Sequence, residues 1–140
     1  MLIINLLERG ITSLGGRGTY AVGRSVDYRW KTLKKIDGVK VLQGKEGAHK
    51  LPEEAHSSYA YIRLNPDGSF REIRFYGIDH FLKYEIAYHP EPNINNGNRK
   101  EPIVHDHVYD KNFNRTPAVR IHKNNTLYKK VKGYLQPGNS

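Results

Sequence analysis

The chain reads as an α+β, β-rich protein: an antiparallel meander sheet with one or two short helices. Three observations predict this. Residues 81–89 alternate apolar and polar side chains with a period of two. Asp37-Gly38 and Asn65-Pro66-Asp67-Gly68 are tight-turn sequences set between strand-like runs. Helical patterning is scarce, and Pro and Gly punctuate the chain throughout.

Each element follows in order. Lys31–Ile36 and Val39–Gln43 flank Asp37-Gly38 and form a hairpin. Pro52–Ala55 has the composition to start a helix. Tyr59–Leu64 is a strand by β-branched and aromatic content, and Ser69–Tyr76 returns beside it after the Pro-Asp-Gly turn. Gly77-Ile78-Asp79 is the next turn. In Phe81–His89, Leu82, Tyr84, Ile86 and Tyr88 share one face; Lys83, Glu85, Ala87 and His89 share the other. Pro90, Pro92 and Asn93–Asn98 force a long loop. Ile103–Tyr109 and Ala118–His122 are two further short strands, and Thr126–Lys132 a short helix.

Length bounds the organisation. A chain of 140 residues is one domain's worth. Residues 1–18 read as an apolar leader and a Gly-rich joint, with Gly15, Gly16 and Gly18 around Arg17. Residues 19–123 are a single β-rich domain, and 124–140 a basic tail. The absence of Cys rules out disulfide scaffolds, thiol catalysis and Cys-ligated zinc. No apolar run reaches the roughly 20 residues of a membrane span. The expected setting is the host cytoplasm, with no membrane partner.

Charge points to a partner. The net charge is +9 and the pI near 9.7. Residues 17–50 carry a net of +6, residues 51–92 a net of −3, and residues 93–140 again +6. Two basic flanks enclosing an acidic middle suit RNA or single-stranded nucleic acid, whose phosphates meet Lys and Arg. Arg63, Arg71, Arg74, Lys83, Arg99 and Lys111 are the candidate contacts. The alternative is a solvated surface with unrelated charge blocks. Tyr59, Tyr61 and Arg63 lie on one strand face and either stack bases or cover the edge of a core thin in aliphatic residues.

All seven histidines lie between residues 49 and 122. His105 and His107 stand at i and i+2, so on a strand both point to one face. Glu85 and His89 share the polar face of the best strand, roughly 13 Å apart by strand rise. If the two strands are neighbours, one patch collects a carboxylate and three imidazoles. Three chemistries are open to it. The first is acid–base cleavage of RNA without a cofactor, in which Glu85, His89, His105 and His107 supply base and acid, and Arg71, Arg74 or Lys83 the cation. The second is divalent-metal ligation by His89, His105 and His107, with Glu85 as a ligand or base. The third is a polar face with no chemistry. Asp106 points away from His105 and His107, and Asp79-His80 reads as a structural turn.

A resemblance is carried by Pro66-Asp67-Gly68, Arg71, Arg74-Phe75-Tyr76-Gly77-x-Asp79, Glu85-Ile86-x-Tyr88-His89 and His105-x-His107. This stretch resembles the small C-terminal domains of phage head-morphogenesis (MuF-type) proteins and of polymorphic toxins. The resemblance implies a mobile-element effector, several such domains being presumed nucleases, with an inhibitor or host protein as a further partner. A non-enzymatic phage accessory protein that binds nucleic acid or a host protein is the other class of function.

Overall fold

The structure is a computed structural model that describes residues 29–45 and 50–135. The apolar leader, the Gly-rich joint, His49 and Pro137-Gly138 lie outside the described residues. One seven-stranded sheet runs in chain order, β1 to β7. The strands are β1 Trp30–Ile36, β2 Val39–Gly44, β3 Ala60–Leu64, β4 Phe70–Tyr76, β5 Leu82–Pro90, β6 Pro102–Val108 and β7 Val119–Arg120. Every pairing is antiparallel except β2 with β3, which is parallel. The β-rich, mostly antiparallel sheet expected from the sequence is therefore present; the meander runs from β3 to β7, and the β1–β2 hairpin joins it through the parallel β2–β3 pairing.

Local chemistry makes the turns. Asp37 and Gly38 both have positive φ, 50° and 79°, as the favoured two-residue hairpin turn requires. Gly68 takes its left-handed position at φ 89°. The loop after β5 is compact. Pro92–Ile94 form a 3₁₀ turn, and Asn96 and Gly97 (φ 53° and 78°) close a tight turn in which Asn98 N donates to Asn95 O at 2.9 Å. That turn brings β6 back beside β5.

The first sheet face is the larger core. It holds Val41, Ile62, Ile73, Phe75, Tyr84, Ile86 and Val104. Burying each such side chain stabilises by about 1.5–3 kcal/mol. A short helix, α1 (Thr126–Val131), packs on this face through Leu127 and Val131, which are 4% and 1% exposed. Asn125 caps it, its side chain accepting from Leu127 N at 2.8 Å. The expected basic tail is thus core in part. Leu127 and Val131 stand four apart, on one helical face, and their burial outweighs the charge around them.

The second face has a smaller cluster of Leu42, Leu51, Ala55, Tyr61, Tyr76, Leu82 and Tyr109. Pro52–Ala55 is not a helix. It runs across the end of this face, fixed by Leu82 N to Glu53 O at 2.8 Å, Ala55 N to His80 O at 2.7 Å and a bridge from Glu54 to Phe81. Those contacts use the backbone groups that a helix would have needed.

Leu82 also departs from the expected face. Phe75 pairs with Tyr84 but Tyr76 with Leu82, so Lys83 is an extra residue in β5. Such a bulge turns the strand and puts Leu82 with Tyr76, opposite Tyr84 and Ile86. Two further register shifts matter below. Thr32 and Lys34 pair with Leu42 and Val41, which leaves Leu33 extra; Arg63 and Leu64 pair with Glu72 and Phe70, which leaves Arg71 extra. No helix among the described residues is long and apolar enough to cross a membrane.

Candidate active site

β5 and β6 are neighbours, with Glu85 opposite His107, Ala87 opposite His105 and His89 opposite Ile103. Directly opposed residues share a face, so Glu85, His105 and His107 meet on the second face. The alternation that exposes this set also sends Asp106 to the other side, where its Oδ2 accepts from Tyr84 Oη at 2.7 Å. Burial raises the pKa of Asp106 and the Tyr84 bond opposes that rise.

Three imidazoles stand in a row. The ring centroids of His89 and His105 are 4.6 Å apart, those of His105 and His107 5.5 Å, and both pairs are near perpendicular. Each Nδ1 lies against a backbone carbonyl: Pro90 O at 2.8 Å for His89, Ile103 O at 3.0 Å for His105 and Thr116 O at 2.7 Å for His107. A carbonyl only accepts, so Nδ1 carries the proton in each, and the lone pair of a neutral ring sits on Nε2. His105 is closed to solvent, and its buried Nε2 has no hydrogen-bond partner. Burial lowers the pKa of His105; its bond to the Ile103 carbonyl opposes this, and His89 and His107 add to it. His105 is therefore neutral at neutral pH, with a free lone pair.

Glu85 is placed differently. It shares the face with the imidazoles, but its Oε1 accepts from Arg74 Nε at 2.7 Å. Arg74 also donates to Leu51 O at 2.6 Å and reaches Tyr109 Oη at 3.4 Å. Burial works to lower the Arg74 pKa, but the Glu85 carboxylate, Tyr76 and Tyr109 together outweigh it, so the guanidinium is held charged. Glu72 lies 3.8 Å from the same Nε. Its own pKa is raised, first by burial and then by the Glu85 charge.

The other candidates separate. Lys83, in its bulge, binds Asp79 Oδ2 at 2.9 Å. Arg63 and Arg71 line a groove at the far end of the same face. Arg99 and Lys111 are exposed, in the β5–β6 and β6–β7 connections. Tyr59 and Tyr61 do not share a face. Tyr61 is buried in the second cluster, edge-on to Tyr76 at 5.3 Å, whereas Tyr59, outside β3, packs on the first. Asp79 caps its turn through Phe81 N at 3.0 Å, and His80 Nδ1 lies near the carbonyls of Ala55 and His56.

Sequence reasoning passed over Arg120. It is exposed on β7 and pairs in register with His105. The signal available was its place in an expected strand that follows the His105-x-His107 strand. Among the described residues, no group of three or more His, Asp or Glu side chains is arranged to hold a metal ion. No family model, curated protein or solved structure matches the chain.

Proposed function

We propose that the protein is a small phage- or mobile-element-encoded effector that binds RNA in the host cytoplasm and cleaves it by metal-independent acid–base chemistry. The observation that carries this reading is the row of His89, His105 and His107. Its central ring is neutral and offers an unpaired Nε2 inside a sheet face. RNA binding uncovers the Nε2 of His105, which is buried in the free protein; that nitrogen takes the proton of the 2′-hydroxyl, and the freed oxygen attacks phosphorus. The bond to the 5′-oxygen breaks as a flanking histidine, His89 or His107, in its imidazolium form, gives that oxygen the proton carried on its Nε2. The products are a 2′,3′-cyclic phosphate and a 5′-hydroxyl. Arg120, in register with His105, is the cation for the charged transition state. Glu85 serves by holding Arg74 in place, which leaves the proton transfers to the imidazoles. The basic flanks and the resemblance to effector domains of phage and toxin proteins agree with this role.

A second reading rests on the burial of His105 and His107, 0% and 3% exposed. It is a non-enzymatic accessory protein that binds nucleic acid or a host protein, with the histidines as packed polar side chains. Incubation with total RNA, with and without EDTA, decides between them. Cleavage that survives EDTA and is lost in His105→Ala supports the acid–base site. EDTA-sensitive cleavage replaces it with a metal mechanism, and binding without cleavage supports the accessory protein.

A further inference from the structure

The far end of the second sheet face is a cationic groove of about 1020 Å³. Lys34, Lys50, Arg63 and Arg71 line it, with Trp30 at one side and the apolar Leu42 and Leu51 also in its wall. Arg63 and Arg71 stand out in the sequence as candidate phosphate contacts; Lys34, Lys50 and Trp30 do not. The four cations and Trp30 come from four separate segments, β1, the β2–β3 connection, β3 and β4, and only the folded sheet brings them together.

Local geometry aims these groups. The extra residue in β4 is Arg71 itself, and the extra residue in β1 is Leu33, next to Lys34. Bulges re-aim side chains in this way. Arg71 Nε is buried and makes no hydrogen bond. Among the described residues, the one carboxylate of the groove wall is Asp67, which is taken up by its own turn, accepting from Ser69 N at 2.9 Å and Ser69 Oγ at 2.6 Å. Arg63 has the charge of its cross-strand neighbour Glu72 beside it. The Trp30 indole N–H donates to Lys50 O at 2.8 Å, which fixes the ring at the groove.

The groove is tied to the imidazoles through the sheet. Arg63 pairs with Glu72, Glu72 with Ala87 and Ala87 with His105. Three strand spacings separate Arg63 from His105, roughly 14 Å, a span of a few nucleotides in an extended strand.

We propose that this groove is the subsite for single-stranded RNA flanking the cleaved bond, with phosphates on Lys34, Lys50, Arg63 and Arg71 and an unstacked base against Trp30. The proposal rests on the RNA-binding reading above and adds the form of the substrate. Four cations follow a backbone, and an aromatic ring beside apolar side chains takes the face of a base whatever its identity. A duplex keeps its bases stacked internally and cannot offer that face.

The test is fluorescence anisotropy with an uncleavable 2′-O-methyl RNA of about 10 nucleotides, within the site sizes of single-strand binders. Lys34→Ala combined with Arg71→Ala is expected to weaken binding at least tenfold at low salt. It should also flatten the salt dependence by about 0.7 in log–log slope per cation removed. Trp30→Leu should weaken binding about tenfold with little change in that slope. Lys129→Ala, which removes one positive charge from α1 on the opposite face, is the control for the loss per cation. Circular dichroism verifies that each variant is folded, and Trp30→Phe, which keeps an aromatic ring, should retain most of the affinity if Trp30→Leu does not fold. Binding by the groove variants equal to that of the Lys129→Ala control, or duplex RNA bound as tightly as the single strand, overturns the groove alone. A wild-type protein that binds no RNA overturns the functional reading as well.

Discussion

Arg74 and Glu85 face each other across β4 and β5, with Nε 2.7 Å from Oε1 and both side chains almost wholly buried. The pair sits beside the histidine row, since Glu85 is also opposite His107. It joins four segments of chain, because Arg74 binds the Leu51 carbonyl and both partners approach Tyr109. A buried ion pair of this kind is a weak source of net stability, but breaking it strands a charge.

Arg74→Ala is accordingly expected to destabilise the protein by about 3–5 kcal/mol, because Glu85 is left buried and unpaired. Arg74→Met with Glu85→Leu removes both charges together and should cost much less than the sum of the single substitutions. Urea unfolding of the single and double variants measures the coupling. Additive effects would show that the two side chains act independently.

Two groups on this face give stability opposite pH dependences. His105 has its pKa lowered from 6.5. Between that lowered value and 6.5 the unfolded chain binds more protons than the folded one, so stability falls as pH falls through this window. Glu72 has its pKa raised from 4.5. Above 4.5 and up to the raised value the folded chain binds more protons, so this contribution is full below 4.5 and lost as pH rises. Relative to His105→Gln, the wild type should lose stability on acidification below pH 6.5. Relative to Glu72→Gln, it should gain stability as pH drops toward 4.5. Unfolding midpoints measured across pH for the three proteins check both signs.

The C-terminal segment tests what anchors the first face. Leu127→Ala or Val131→Ala should each destabilise by about 1–4 kcal/mol, as large-to-small changes in a core do. Lys129→Ala, on the exposed side of α1, should change stability by less than about 0.5 kcal/mol. Equal, small effects at all three positions would mean that the helix does not hold the sheet.

Much of this was legible in the sequence, for a physical reason. Turn residues and period-two alternation are local, so Asp37-Gly38, Gly68 and the run from Tyr84 to His89 announce the sheet directly. Placing His105 beside Ala87 and His107 beside Glu85 needed one non-local fact, that the Asn95–Asn98 turn brings β6 back onto β5. The partners of Glu85 and Lys83 were hidden for a different reason. Pattern alone does not say that Arg74 reaches across to Glu85, or that a bulge hands Lys83 to Asp79. The bulges at Leu33, Arg71 and Lys83 each break the alternation by one residue, and the sequence carries no mark of them. The helix pattern of Leu127 and Val131 was visible, but the lysines around it favoured a tail until the sheet face supplied something to bury against.

The acid–base reading fixes the shape of the pH–rate profile. His105 must be neutral to accept the 2′-hydroxyl proton, and its pKa lies below 6.5 because of burial and the two neighbouring imidazoles. The rate should therefore hold as pH is lowered to 6.5 and fall only below it, which places the acid limb of kcat/KM at the His105 value. His105→Gln keeps a polar side chain of similar reach but cannot take the proton. It should lower kcat/KM by about 10²-fold or more and abolish that limb, while anisotropy with 2′-O-methyl RNA stays close to wild type. His107→Ala should lower the rate to a similar degree and leave the acid limb in place, since the base is intact. Steady-state cleavage of a fluorogenic RNA across pH, with EDTA present throughout, makes the comparison. An acid limb centred above 6.5, or one that survives His105→Gln, would assign the base to another group.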